Sequence, residues 1–281
     1  MSGPTAAAVP LVSVIVPTKD VARTMRACLL SVRAQDHPRI ELVVVDNSST
    51  DGTFEVAQEL ADVAVRGGPE RSAQRNQAIA LSTGEYVLWI DADMVLAPDV
   101  VSAALAAAQA VGAVAVFVPE ISTGAGYWTA CRALERRCYV GEDLIEAPRL
   151  VRREFFLRSA GFHLEVAGQE DAELRMRLLQ GGEPLARCDA VIEHQEGRLT
   201  LRGVLRKRRY YGRSIPAYAH AQPGAVGRQG LATVRALVRH RSVLLSDPVH
   251  GVGVLALRSL EALAYAAGAA EQVVERRGAR R

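Results

Sequence analysis

The sequence predicts an α/β fold, a mostly parallel central sheet covered by helices and followed by a helical extension. Three observations carry this. Short apolar runs rich in valine and isoleucine ("LVSVIVP", "IELVVVD", "VAVRGG", "YVLWID", "AVAVFVP") recur up to Pro119, as strands buried on both faces do. Segments with helical spacing separate them, and strands alternating with helices build βαβ units. From about Leu199 the strand pattern stops and the chain reads as helices with basic and apolar faces. The expected division is a first domain over 1–198 and a helical extension over 199–281.

The first run gives a strand over 11–16, closed by Pro17, and "VARTMRACLLSVRAQ" a helix. "IELVVVD" is the second strand, ending on Asp46. "NSSTDGTFEVAQELA" is a loop with Asp51-Gly52, then a helix, and "VAVRGG" is a short third strand. "PERSAQRNQAIALSTG" predicts a helix that opens at Pro69 and is stopped by Gly84. "YVLWID" is the fourth strand, "PDVVSAALAAAQAVG" a helix and "AVAVFVP" the fifth strand. Beyond Pro119 the regularity weakens. "TGAGYWTACRALERRCYVGEDL" reads as a loop and a helix over the site, and "APRLVRREFFLRSAGF" has an extended start. "GQEDAELRMRLLQGG" is a helix with acids in its first turn, which suits the helix dipole, and "PLARCDAVIEH" is one further strand.

With 49% hydrophobic residues the 281-residue chain can bury a large core. A net charge of +3 gives no ground for nucleic acid as a partner, although basic residues gather late, in "RKRRYYGR" and "ERRGARR". The opening "MSGPTAAAVP" has neither a basic start nor a long apolar core, so no signal peptide is expected. Cys28, Cys131, Cys138 and Cys188 form no CxxC and no metal-ligand spacing. Reduced, packed thiols and a cytoplasmic location are expected.

The chemistry starts at "VLWIDADMV". Ionised carboxylates do not belong inside a buried strand unless paired or bound to a cation. Asp91 and Asp93 should therefore lie where the chain leaves the sheet, which is where open α/β sheets bind ligands. Thr18 and Lys19 after the first strand, and Asp46 and Asn47 after the second, converge on the same edge. Such an edge suits a nucleotide diphosphate with Mg²⁺ or Mn²⁺, the ion offsetting the charge of a departing diphosphate. His194 in "VIEHQEG" is a further candidate metal ligand, or a surface-loop histidine. "RKRRYYGR" suits a clamp for diphosphate or an anionic acceptor, or a solvated helix face.

Four segments, "VSVIVPTKD", "VVVDNSSTDGT", "RSAQRNQAIALSTGEYVLWIDADM" and "GQEDAELRMRLLQGG", occur in this order over roughly 11–195. In them the chain resembles the inverting family 2 glycosyltransferases of the GT-A fold. The resemblance implies a nucleotide-sugar donor, most often UDP-linked, and an acceptor hydroxyl on a lipid-linked glycan or a small molecule. It places Pro17, Thr18 and Asp46 at the nucleotide, with Lys19 and Asn47 beside them and Arg71 or Arg75 facing it. It makes Asp91-Ala92-Asp93 the DxD motif, with Asp93 the direct metal ligand, and Asp171 the catalytic base. Glu170 beside Asp171 orients the acceptor or the loop. Asn47 departs from the pattern, since many members have a second Asp there, and this leaves the nucleotide's identity open. The base role also follows from chemistry: inversion needs a group to take the acceptor's proton, and a carboxylate in a first helical turn stays ionised.

Other readings fit less well. "WIDADMVL" resembles the nucleophile motif of aspartyl-phosphate phosphatases, but there the motif ends the first core strand rather than the fourth. No GxGxxG follows the first strand, which argues against an NAD enzyme. "PTKDVART" is not the glycine-rich, arginine-bearing loop of nucleotidyltransferases. A degenerate protein that holds nucleotide sugar without turnover is the alternative of a different class.

In the extension, residues 249–270 are long enough to span a bilayer but contain Arg258 and Glu261, each costly at its centre. A spanning helix is not expected. The helices either pack on the first domain or lay an amphipathic face in the membrane interface, giving peripheral contact at its inner side.

Overall fold

The computed structural model describes residues 9–159 and 161–278. Most of "MSGPTAAAVP" and the end of "ERRGARR" lie outside the described residues. The elements are β1 (Val12–Thr18), α1 (Ala22–Arg33), β2 (Ile40–Asp46), α2 (Thr53–Leu60), β3 (Val63–Arg66), α3 (Arg71–Leu81), β4 (Tyr86–Trp89), β5 (Met94–Leu96), α4 (Val100–Val111), β6 (Ala115–Phe117) and β7 (Glu120–Gly124). Then follow α5 (Tyr127–Arg137), β8 (Pro148–Arg152), α6 (Arg153–Arg158), α7 (Glu170–Gln180), β9 (Leu185–Arg187), β10 (Ile192–Gly197), α8 (Leu201–Gly212), α9 (Ile215–Ala221), α10 (Ala225–Arg239), α11 (Arg241–Ser246) and α12 (Pro248–Gly278).

The main sheet has the order β3-β2-β1-β4-β8-β6-β9. The first four strands run parallel, β8 lies antiparallel between β4 and β6, and β9 joins β6 in parallel. The fold is the α/β class expected. Successive residues of a strand face opposite sides of a sheet, and both sides here are packed. Val14, Val16, Val44 and Leu88 enter a core with Met25, Leu29 and Leu105. Ile15, Val43, Val87 and Trp89 enter another with Phe156, Phe162 and Leu174. Fully burying such a side chain is worth about 1.5–3 kcal/mol. That explains why β1, β2 and β4 read as mainly apolar runs, broken within by the Ser13–Glu41 pair.

A second, small sheet has the order β5-β10-β7. Here sequence and structure differ. "PLARCDAVIEH", expected as one strand, is two: β9 closes the main sheet and β10 is the centre of the small one. The polar Asp189 interrupts the run, and the chain changes sheet at residues 188–191. β5 and β7 were not expected, because "MVL" is short and "EISTG" carries little apolar signal. The α3 helix begins at Arg71 rather than Pro69 and ends at Leu81. All four cysteines are buried with free thiols.

Beyond β10 the Thr200 hydroxyl accepts from Gly203 N at 3.2 Å and caps α8. The long α12 lies on α8 and α5. At Gly268 an added Cβ would sit 1.9 Å from the Arg209 carbonyl oxygen, and at Gly212 2.4 Å from that of Tyr265, so only glycine lets the two backbones touch. Buried ion pairs complete the seam. Glu261 takes Arg132 and, at 2.8 Å, Arg208, while Arg258 reaches Glu135 at 3.0 Å and Glu261 at 2.9 Å. Arg258 and Glu261 thus face the domain. The segment Pro248–Arg276 is long and apolar enough to cross a membrane by length and composition.

Candidate active site

The site forms where β1, β2 and β4 end. Thr18 lies opposite Asp46 in the β1–β2 register. After β4 the chain turns, Met94 N donating to Asp91 O at 3.0 Å, and enters β5. Asp91, Ala92 and Asp93 therefore lie in the turn between the two sheets. His194 of β10 is in register with Met94, and this pairing brings its ring to Asp93.

Helix α3 ties the edge together. Gln74 Nε2 donates to Thr18 O (2.8 Å) and Val45 O (2.7 Å). Asn76 donates to Phe162 O and accepts from Phe162 N (2.8 and 2.7 Å), which fixes the loop entering α7. Arg71 reaches Asp91 Oδ2 (3.2 Å), Glu170 Oε1 (2.8 Å) and the Tyr211 hydroxyl (3.0 Å). Arg75, fully buried, donates to Asp91 Oδ1 (2.9 Å) and to Asp171 Oδ1 (2.6 Å). Arg149 of β8 lies 3.6 Å from Asp171 and donates to Glu120 at 2.6 Å. Glu120 also pairs with Arg136, which donates to His194 Nδ1 at 2.9 Å.

These charges set the protonation states. Burial would raise the Asp171 carboxyl, but Arg75 and Arg149 outweigh it and hold it below its ordinary range. Burial opposes ionisation of Asp91 too, and Arg71 and Arg75 hold it well below. Burial disfavours a charged His194, yet hydrogen bonds to Asp93 and Glu120 lift it to about 9. Arg136 opposes this: a guanidinium only donates, so its contact needs Nδ1 as an acceptor and leaves Nε2 to face Asp93 at 3.2 Å.

A cavity of about 1210 Å³ opens over this edge. It is walled by Pro17, Lys19, Arg71, Asp91, Ala92, Asp93, Glu170, Asp171 and His194, and on its far side by α8, α10 and α12. A smaller cavity of about 290 Å³ is lined by Lys19, Asn47, Glu70 and Gln74. Two expected nucleotide residues reach neither. Thr18 donates to Asp46 Oδ1 at 2.9 Å, and Asp46, wholly buried, accepts from Ser49 N at 2.8 Å; both hold the turn beneath the cavity. Arg75 also lies behind the wall. Of "RKRRYYGR", Lys207, Arg208 and Tyr211 face the large cavity, whereas Arg209 and Arg213 pair with Glu271 and Glu275.

Among the described residues no group of three or more His, Cys, Asp or Glu side chains is placed to hold a metal. Asp91 has both oxygens on arginines. Asp93 is the group at this edge that fits a cation, and Mg²⁺ or Mn²⁺ bound by one or two protein groups plus substrate phosphates matches it. His194, with Nδ1 accepting from Arg136, carries a proton on the Nε2 that faces Asp93 and so orients that carboxylate rather than offering the cation a lone pair. Sequence reasoning missed Gln74, Asn76, Glu120, Arg136 and Arg149. Their roles depend on which arginines become buried, and no spacing announces that.

A sequence model described as Glycosyl transferase family 2 matches residues 13–157. Glycosyltransferase AglE of Haloferax volcanii is 34% identical over 93 residues, covering 30% of this chain and 31% of that protein; the match spans about a third or less of the length of such curated relatives. The mannosyltransferase PcManGT of Pyrobaculum calidifontis, in complex with GDP-Man and Mn²⁺, superposes with a TM-score of 0.63 at 21% identity, covering 94% of this chain and 87% of that one. S. aureus TarS 1–349 in complex with UDP-GlcNAc gives 0.52 at 18% identity, covering 95% and 92%. Those likenesses show the shared fold, that of GT-A glycosyltransferases. With the family model matching over half of its residues, the chain belongs to glycosyl transferase family 2.

Proposed function

We propose that this protein transfers a sugar from a nucleotide-sugar donor to an acceptor hydroxyl with inversion, Asp171 acting as the base. The observation that carries the reading is Arg75, a fully buried guanidinium donating to Asp91 and Asp171 at once. It holds the donor-side acid and the base in a fixed relation at one cavity edge, and such positioning is a large part of catalysis. Asp171 stays ionised at neutral pH and takes the acceptor's proton as the hydroxyl attacks the anomeric carbon. Glu170, held by Arg71, positions the turn that presents it. Asp93, oriented by His194, would hold Mg²⁺ or Mn²⁺, which would supply Lewis-acid stabilisation to a departing diphosphate. Lys19 and Arg71 stand beside that diphosphate, and Asn47 and Gln74 line the smaller cavity toward the base. UDP is the nucleotide favoured by the family resemblance, with GDP the competitor. The test is transfer from UDP- and GDP-sugars with Mn²⁺ and candidate acceptors. Acceptor-dependent nucleotide release supports an enzyme; binding of the donor without release supports the degenerate reading.

We also infer peripheral membrane contact at the inner face and a lipid-linked acceptor. The supporting observation is the outward side of α12. Its exposed side chains include Val249, Val252, Leu255, Leu263 and Val274, and the charged residues between Val249 and Val274 are partly or wholly buried in ion pairs. At 1.5 Å per residue this face runs about 39 Å. Its charged residues Arg258, Glu261 and Glu271 are engaged in ion pairs with α5 and α8, which favours a helix lying in the interface over one that spans. Val234 and Val238 of α10 and Leu245 of α11 are exposed as well. Full-length protein should co-sediment with anionic liposomes, less so at high salt. Protein that stays in the supernatant at low salt points to a soluble acceptor.

A further inference from the structure

Arg175 is anomalous among the buried arginines. It lies in α7, four residues after Asp171 and so on the same helix face, and is 4% exposed. Arg75, Arg149 and Arg132 each meet a carboxylate, and Arg177, two residues further along α7, pairs with Glu173 at 2.9 Å. Arg175 has no carboxylate within ion-pair distance among the described residues. Its Nη1 donates to two backbone carbonyls, Ile145 O at 3.0 Å and Glu146 O at 3.1 Å, and its buried Nε has no partner. Burial pulls its pKa down to about 10, a measure of how poorly the charge is compensated. Buried charges are normally paired, because an unpaired one is costly. This one lines the large cavity together with Asp171.

We propose that Arg175 binds an anionic group of the acceptor, a carboxylate or a phosphate, close to the hydroxyl that Asp171 deprotonates. The side chain is far better suited to this than to the donor. Its polar contacts are confined to the 145–146 loop, whereas the donor-side acids Asp91 and Asp93 are joined by Arg71, Arg75 and His194. A guanidinium presents paired donors that match a carboxylate or phosphate. Its position one turn from the base sets the spacing: the acceptor carries its negative charge within a sugar ring or so of the attacking oxygen. A uronic acid and a lipid-linked phosphate both meet this description. The inference rests on the transferase reading above.

The test is thermal unfolding of the full chain with saturating UDP and Mn²⁺, followed by a second probe. A ligand that binds the folded state raises its stability. The shift from UDP and Mn²⁺ reports the donor site alone, so its absence tells against the donor reading and not against Arg175. Methyl glucuronide and farnesyl phosphate are the anionic probes; methyl glucoside is the neutral control. The wild type is expected to respond further to one anionic probe, which identifies the source of the charge, and not to methyl glucoside. Arg175→Met should keep the nucleotide response and bind the anion about 10- to 100-fold more weakly, the scale of hydrogen bonds to a charged group. Arg175→Lys keeps the charge but not the fork and should fall between. If Arg175→Met does not fold, Arg175→Lys decides: a weaker response to the anion upholds the proposal, an equal one overturns it. It is also overturned if neither anion shifts the wild type, if Arg175→Met retains the anion response, or if that variant loses the nucleotide response.

Discussion

Two ionic networks of the same chemistry sit at opposite walls of the large cavity, and they differ in closure. At the strand ends Arg71, Arg75 and Arg149 hold Asp91, Glu170 and Asp171, yet the Asp91 and Asp171 side chains remain 19% and 27% exposed. Under the long helix Arg132, Arg208 and Arg258 hold Glu135 and Glu261, both 1% exposed. The first network keeps carboxylates charged and open to a ligand. The second shuts them away and fastens α12 to α5 and α8. Identical residue types thus line an open cavity edge in one place and form a joint in the other, and solvent access separates the two.

The largest effect is expected at the open network's rim. Asp93→Ala should abolish transfer and the metal dependence of donor binding while leaving the unfolding temperature nearly unchanged, since Asp93 lies in a turn and not in the core. Near wild-type turnover by this variant in the presence of a chelator would remove Asp93 from the metal site.

In the closed network the cost should appear as stability. Glu261→Ala strips three guanidiniums of a shared partner, and breaking a buried pair costs about 3–5 kcal/mol. Denaturant unfolding would measure it, and a loss below 1 kcal/mol would mean that the seam does not depend on Glu261. Burial opposes ionisation of Glu261, but Arg132, Arg208 and Arg258 bring its pKa down from 4.5 to about 2. A carboxylate with a lowered folded-state pKa stabilises above its unfolded value and loses that contribution as pH falls. The wild type should therefore lose stability relative to Glu261→Ala as pH drops from about 4.5 to about 2.

A smaller effect separates the networks by pH. Arg149 helps hold the Asp171 carboxyl low, so Arg149→Met should move the acid limb of the kcat/KM profile to higher pH. Lost activity would then appear first in mildly acidic buffer. An unmoved limb would mean that Arg75 alone sets the base.

Much of the sheet was legible because its strands are buried on both faces. β2 matches its predicted bounds, Ile40–Asp46, since the only charged residue inside it, Glu41, lies at its partly exposed start and the four residues from Leu42 to Val45 are apolar and buried. β5 and β7 were not legible, the first being three residues long and the second mostly polar, and with them went the small sheet that carries His194 to Asp93. Asp91 and Asp93 were visible as acids at the end of an apolar strand, where unpaired charge is expensive; Glu170 and Asp171 were visible through the motif the chain shares with its family and the need for a base. Thr18 and Asp46 were visible too, but the structure gives their side chains to each other and to Ser49. Whether a polar side chain at a strand end faces ligand or its own turn depends on a rotamer, which spacing does not encode. Arg149 and Arg175 were hidden for a related reason: burial of an arginine is decided by the helices that close over it.

The most direct measurement compares Asp171→Asn with the wild type for both acceptor-dependent transfer and donor affinity. Loss of a positioned base should lower the transfer rate by about 10²- to 10⁴-fold with donor affinity nearly unchanged. If donor affinity collapses instead, or transfer persists at the wild-type rate, Asp171 is not the base and the chemistry lies elsewhere in the cavity.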